Sequence, residues 1–174
     1  INITPPLSGT FDFSQIPVFF TDNINLYYGS SHVKNGTGAI GGSVNLFTDT
    51  DWNRGVNGRV LAEYGSYNTY TVGGQANISG NKSASKTRLY YQHSDNDYTY
   101  LNKVLTNIPF REKRQDAAYS QFGIMQEGYF RVSPYTRLTA VAWYQKNHRN
   151  LPQPLGVVNR SQEDQEENNF RGYA

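Results

Sequence analysis

The chain has 174 residues, enough for one domain, with a net charge of +2 and no cysteine. So small a charge, without a basic run, gives no basis for a nucleic-acid partner, and the missing cysteine excludes disulfides and thiolate metal sites. Only 37% of residues are hydrophobic while 14% are aromatic, with 14 Tyr and 9 Phe; disordered chains are poor in aromatics, so this composition suits β-strands joined by turns.

No apolar run approaches the ~20 residues of a membrane helix, which leaves crossings by β-strands open. The first residue, Ile1, begins no charged-then-apolar leader, so any signal peptide is expected to have been removed already.

The first motif along the chain is NGTGAIGGSVNLFT, from Asn35 to Thr48, which contains Gly36-x-Gly38-x-x-Gly41. That is the spacing of a dinucleotide-binding loop, which must leave a strand and open a helix so that free N–H groups meet the pyrophosphate. Here Val44 and Leu46 alternate with Asn45 and Phe47, which predicts a strand instead. Gly55 to Ala62, where the acidic residue that holds a ribose is sought, contains no carboxylate. Nucleotide binding is not expected, and the glycines need another reason.

From Arg54 onward, alternating segments are broken by turn residues. Val60, Ala62 and Tyr64 alternate with Arg59, Leu61 and Glu63 before a bend at Gly65–Asn68. Thr69 to Ser79 is the clearest strand, with Tyr70, Val72, Gly74, Ala76 and Ile78 on one face and small or polar residues such as Gln75 and Asn77 on the other. A turn at Ser79–Ser83 leads to a third segment with Thr87, Leu89 and Tyr91 on one face. The stretch from Asp95 to Asp116 reads as a long loop. Ala118 to Val132 sets Phe122, Ile124, Phe130 and Val132 against Gln121, Glu127 and Arg131, although Gln126 and Gly128 interrupt the apolar face. After a turn at Ser133–Thr136, a fifth strand is predicted from Arg137 to Asn147, and a second long loop from Asn150 to Asn169.

Long alternating strands, with short turns at one end and long loops at the other, fit a transmembrane β-barrel of the outer membrane. Tyr64, Tyr67, Tyr70, Tyr98, Tyr100 and Tyr135 near strand ends would then form an interfacial girdle. The same alternation fits a soluble antiparallel sheet with one solvated face. Pattern alone does not separate the two.

The first fifty residues separate them by resemblance. SGTFDFSQIP, DNINLYYGS and GTGAIGGSVNLFT together resemble the C-terminal part of the plug domain of TonB-dependent outer-membrane receptors. In that family a final plug strand contains Ala-Ile-Gly-Gly-x-Val-Asn-Ile, and Ala39-Ile40-Gly41-Gly42-Ser43-Val44-Asn45-Leu46 is similar to it nearly residue for residue. Gly29-Ser30-Ser31-His32 stands where the family has Gly-Pro-x-Ser, and Asn35-Gly36 where it has Tyr-Gly. Asn23 and Asn25 replace residues that are often charged, so no plug-to-barrel salt bridge is carried over. Within the barrel part, EYGSYNTYTVGGQ and NHRNLPQP add to the likeness, and the motif spacing is most similar to that of cobalamin-type receptors.

The resemblance implies a mainly all-β chain: residues 1–50 as the C-terminal part of a short α/β plug, and residues 51–174 as the first five to six strands of a plugged antiparallel barrel. Family barrels have about 22 strands, so a larger receptor is expected. It further implies outer-membrane import of a scarce nutrient such as a siderophore or cobalamin, with no catalysis and no cofactor. The partners implied are membrane lipid, the nutrient, and a TonB-type energy-coupling protein acting through a segment outside this chain. Gly29, Gly36, Gly38, Ala39, Ile40, Gly41, Gly42, Val44 and Asn45 become the structural plug motif, the glycines permitting close backbone approach where the chain folds back into a strand. Ligand contacts are expected from Pro5, Leu7, Ser8, Thr10 and Phe11 at the plug apex, and from Tyr98, Tyr100 and Arg111 in an extracellular loop. Asp49-Thr50-Asp51 and Asp95-Asn96-Asp97 carry oxygen ligands of the kind that hold Ca²⁺, without a full loop spacing. An enzymatic alternative would rest on Ser94 and His93. If the barrel reading holds, Val72, Ala76 and Ile78 face lipid while Gln75 and Asn77 face the lumen.

Overall fold

The computed structural model describes residues 16–28, 42–104, 108–154 and 162–174. Pro17, with φ at −61°, starts a 3-10 turn over Val18–Phe20 that Thr21 closes by donating its N–H and hydroxyl to the Val18 carbonyl. Ten strands follow: β1 Asn23–Tyr28, β2 Gly42–Phe47, β3 Gly55–Gly65, β4 Thr69–Ser79, β5 Ser83–Ser94, β6 Thr99–Asn102, β7 Phe110–Lys113, β8 Tyr119–Arg131, β9 Arg137–Leu151 and β10 Glu163–Tyr173. Among the described residues there is no α-helix and no closed barrel.

Six long strands form one antiparallel sheet in the order β10-β9-β8-β5-β4-β3, while β1 pairs with β2 and β6 with β7. Every pair in the large sheet is antiparallel. The strand predicted from Thr69 to Ser79 has those bounds. The two long loops are shorter than expected. Within Asp95–Asp116 the chain folds into the β6-β7 hairpin, and of Asn150–Asn169 the first two and last seven residues extend β9 and β10, because Glu163 to Asn169 pair residue by residue with Leu151 to Gln145. Their polar composition concealed a strand that needs no apolar side chain on this part of the sheet.

The turn between β3 and β4 explains one unusual backbone. Tyr67 and Asn68 both have positive φ, at 59° and 51°, and the Thr69 N–H reaches the Ser66 carbonyl at 3.2 Å. Positive φ at both central positions of this Ser66–Thr69 turn suits the right-handed twist of the flanking strands. Asn tolerates that conformation; the bulky Tyr67 is less usual there, and its ring lies edge-on to Tyr98 with centroids 6.2 Å apart.

The two faces of the sheet are sorted in an unusual sense. On β8 the apolar set lies outside, with Phe122 40% and Ile124 37% exposed, whereas Gln121 is 7% and Glu127 0% exposed. Register carries this sorting across the sheet: Val60, Gly74, Leu89, Ile124, Tyr144 and Phe170 form one outward row. The inward rows hold Asn57, Asn77, Lys86 and Glu127, then Arg59, Gln75, Arg88 and Met125. Val72, Ala76 and Ile78 are exposed, and Gln75 and Asn77 are half-buried. Gln126, which interrupts the outer face, is satisfied there by the Thr87 hydroxyl at 2.6 Å and by donating to Ser85 at 2.9 Å.

Candidate functional site

The N-terminal segment lies on the polar inner face of the sheet, held by a small aromatic cluster and by charge. Ile16, Phe19 and Phe20 pack with Tyr90, Met125, Val141 and Trp143. Two glycines admit them. A Cβ at Gly73 would come within 3.2 Å of the Phe19 ring, and one at Gly123 within 2.8 Å of Phe20. Phe20 is fully buried, edge-on to both Tyr90 and Trp143, so its ring has no free direction in which to yield. Arg59 stacks over Phe19 at 4.6 Å.

Asp22, between the 3-10 turn and β1, anchors the segment to β5. Its Oδ2 accepts from Lys86 at 2.8 Å and from Arg88 at 2.6 Å, and it also receives the Asp49 N–H at 2.9 Å. Lys86 additionally donates to the Asp49 carbonyl and Arg88 to the Phe20 carbonyl. Arg88, wholly buried, is completed by Gln75 at 3.1 Å and lies 3.8 Å from the buried Glu127 carboxylate. Glu127 Oε1 accepts from the Tyr129 hydroxyl, which also contacts Thr48 at 3.2 Å. Two cations and two carboxylates thus neutralise one another across three elements, as buried charges must. Burial pushes the Asp22 carboxyl up, but the Lys86 hydrogen bond, the Asp49 N–H and the charges of Arg88 and Lys86 outweigh it, leaving the group below its ordinary value.

Two cavities flank this segment on the inner wall. One, of about 560 Å³, runs along Ile16–Phe19 and is also lined by Arg59, Leu61, Glu63 and Tyr90. The other, of about 510 Å³, sits at the loop end of β5, β8, β9 and β10. Gln92 and Gln121 line both.

The residues singled out from sequence fare unevenly. Pro5, Leu7, Ser8, Thr10 and Phe11, like Gly29, Gly36, Gly38, Ala39, Ile40 and Gly41, lie outside the described residues. Gly42 opens β2, where Val44 pairs with Leu26 and Asn45 with Asn25. A strand therefore begins at Gly42, and the helix that a dinucleotide loop needs does not follow the glycines. Tyr98 and Tyr100 come together with centroids 6.3 Å apart, while Arg111, opposite Leu101, is exposed. Sequence reading missed Glu112, whose carboxylate takes the Tyr100 hydroxyl at 3.0 Å and the Asn102 amide at 2.7 Å.

His93 and Ser94, as neighbours on one strand, point to opposite faces: the His93 ring contacts Tyr70, and the Ser94 hydroxyl lies 2.7 Å from that of Thr69. Asp51 and Asp97 are paired with Arg54 and Lys113, and among the described residues no group of three His, Asp or Glu side chains is placed to hold a metal. Sequence reading also missed Asp22, because it sits one residue before the position where the resemblance put charge. Its signal was the pair Lys86 and Arg88, two cations on what was otherwise a polar strand face. Compared with known proteins, the chain matches no family model and no curated relative.

Proposed function

We propose that the chain is part of a TonB-dependent receptor that imports a scarce nutrient across the outer membrane of a Gram-negative bacterium. The observation that carries this reading is the inverted sheet, with large apolar side chains outside and ion pairs and carboxamides inside. A soluble sheet would bury the opposite face. The outer face of β8 runs from Phe122 to Phe130, about 27 Å of strand at ~3.4 Å per residue. At a tilt of ~40° that is roughly 21 Å of height, close to the apolar band of an outer-membrane barrel.

In this reading residues 1–50 belong to the plug, which the Asp22 ion pairs fasten to the lumen wall. The sheet edges at β3 and β10 are paired with further strands, since open edges in hydrocarbon leave backbone groups unsatisfied. Energy arrives from a periplasmic coupling protein through the plug. The chain binds and moves its ligand without catalysis, and neither nucleic acid nor a cofactor takes part.

The test is to place a fluorophore at residue 76 or residue 75 of the intact receptor in lipid vesicles. Quenchers carried on lipid tails should reach the probe at Ala76 and miss the one at Gln75. Equal quenching, or the reverse order, would overturn the facing of β4, and quenching at neither site would favour a soluble sheet.

A further inference from the structure

Resting on the receptor reading, we infer that the loop-end cavity of the inner wall takes a neutral ligand dense in carboxamide or hydroxyl groups, gripped through Gln92. Adjacent strands set Gln92, Gln121 and Asn147 in one row of that wall, and Gln165 in the next. Each carboxamide presents donors and an acceptor side by side, the geometry that pairs with another amide or with a hydroxyl.

The cavity carries little net charge. Among the described residues its lining holds one guanidinium, Arg149, which donates twice to Gln165 at 3.0 and 2.7 Å, one carboxylate, Glu167, which accepts from Asn169 at 2.8 Å, and no lysine. An anionic chelate would call for an excess of guanidinium or ammonium groups, and here the single guanidinium is offset by a carboxylate on the same wall.

Gln92 is different from its neighbours. Half-buried and shared by both cavities, its side chain makes no hydrogen bond with any described residue. Asn147, whose Oδ1 accepts from Gln121 and Gln145, adds a buried Nδ2 with no partner among the described residues. A ligand that covered these amides without answering them would bear the cost of stripping them of water, so the ligand that belongs here supplies both donors and acceptors. An amide-studded molecule and a sugar share this chemistry.

The experiment uses the intact receptor purified in detergent, with three probes: cyanocobalamin as a neutral polyamide, maltoheptaose as a neutral polyol, and ferric enterobactin as an anionic chelate. One neutral probe should bind best, and which one identifies the source of the amide or hydroxyl groups. Gln92→Leu, which removes no side-chain hydrogen bond to any described residue, should weaken that binding about tenfold. Preference for the anionic chelate, binding of none of the probes, or unchanged affinity in Gln92→Leu and Gln121→Leu would each overturn the inference. The same samples are followed for detergent dependence and for heat-modifiable migration on gels. A protein that stays soluble without detergent sinks the receptor reading itself, whereas a folded, detergent-dependent barrel with the wrong ligand sinks only this inference.

Discussion

Asp22 is the residue on which the docking of the N-terminal segment turns. Removing its charge leaves Lys86 and Arg88 buried with one anion too few, and breaking one partner of such a cluster is costly. Asp22 keeps 23% of its side-chain surface exposed, which tempers the loss. We expect Asp22→Asn to weaken docking by about 2–3 kcal/mol, read as faster hydrogen exchange at the Phe20 and Thr21 amides. Unchanged exchange would show that the aromatic cluster alone holds the segment.

The pH dependence follows from the same carboxylate. Its folded value lies below the ordinary 3.8, so its stabilisation is fully present above that value and is lost as pH falls through the lower, folded one. Protection of the Phe20 amide, taken relative to its intrinsic exchange rate at each pH, should therefore be flat, as far as Asp22 is concerned, from neutral pH to about pH 4, and fall only below it. Loosening that begins near pH 6 would implicate another group.

At the scale of elements, the contact between the 3-10 turn and the sheet depends on two positions where a side chain is missing. Gly123→Val should displace Phe20 and loosen the segment, because added Cβ and methyl groups meet a ring already walled in by Tyr90 and Trp143. In a Phe20→Ala background the same change should cost much less. Additive effects in the double variant, measured by equilibrium unfolding, would disprove the clash.

Strand β4 offers a second element-level prediction that depends on its facing. Ala76→Arg should hinder assembly by roughly 2–4 kcal/mol if Ala76 sits near the bilayer midplane, while Gln75→Arg on the polar wall should be tolerated far better. Folding yields of the two variants in lipid vesicles compare them directly, and equal yields would contradict the assignment.

For the whole molecule, the sense in which the sheet is sorted ranks above any single contact. A band of exposed Val, Leu, Ile, Phe and Tyr crossing six strands is far larger than the apolar patches that isolated soluble proteins leave in water. On the receptor reading, the protein should accordingly require detergent for extraction, the outer wall lying in lipid while the inner wall, rich in amides and paired charges, stays hydrated or binds polar ligands.

The sequence by itself determined β3, β4, β5 and β8 with their faces, and most of β9, but not β6, β7 or the first part of β10. Strict alternation in Thr69–Ser79, and turn residues at Ser79–Ser83 and Ser133–Thr136, fix local conformation through side chains only a few residues apart, so they were legible in one dimension. It also determined that β2 follows the glycine motif, since Val44 and Leu46 mark a strand locally. What periodicity alone could not say was which face is buried, because an apolar face reads the same whether it meets a core or a lipid. Only the tertiary structure decided that Arg88 and Lys86 lie inside against Asp22, and that Gly73 and Gly123 are vacancies for Phe19 and Phe20. Those partners stand 54 to 103 residues apart in the chain. The energy of a buried charge or a filled gap depends on what folding brings beside it, and no local pattern records that.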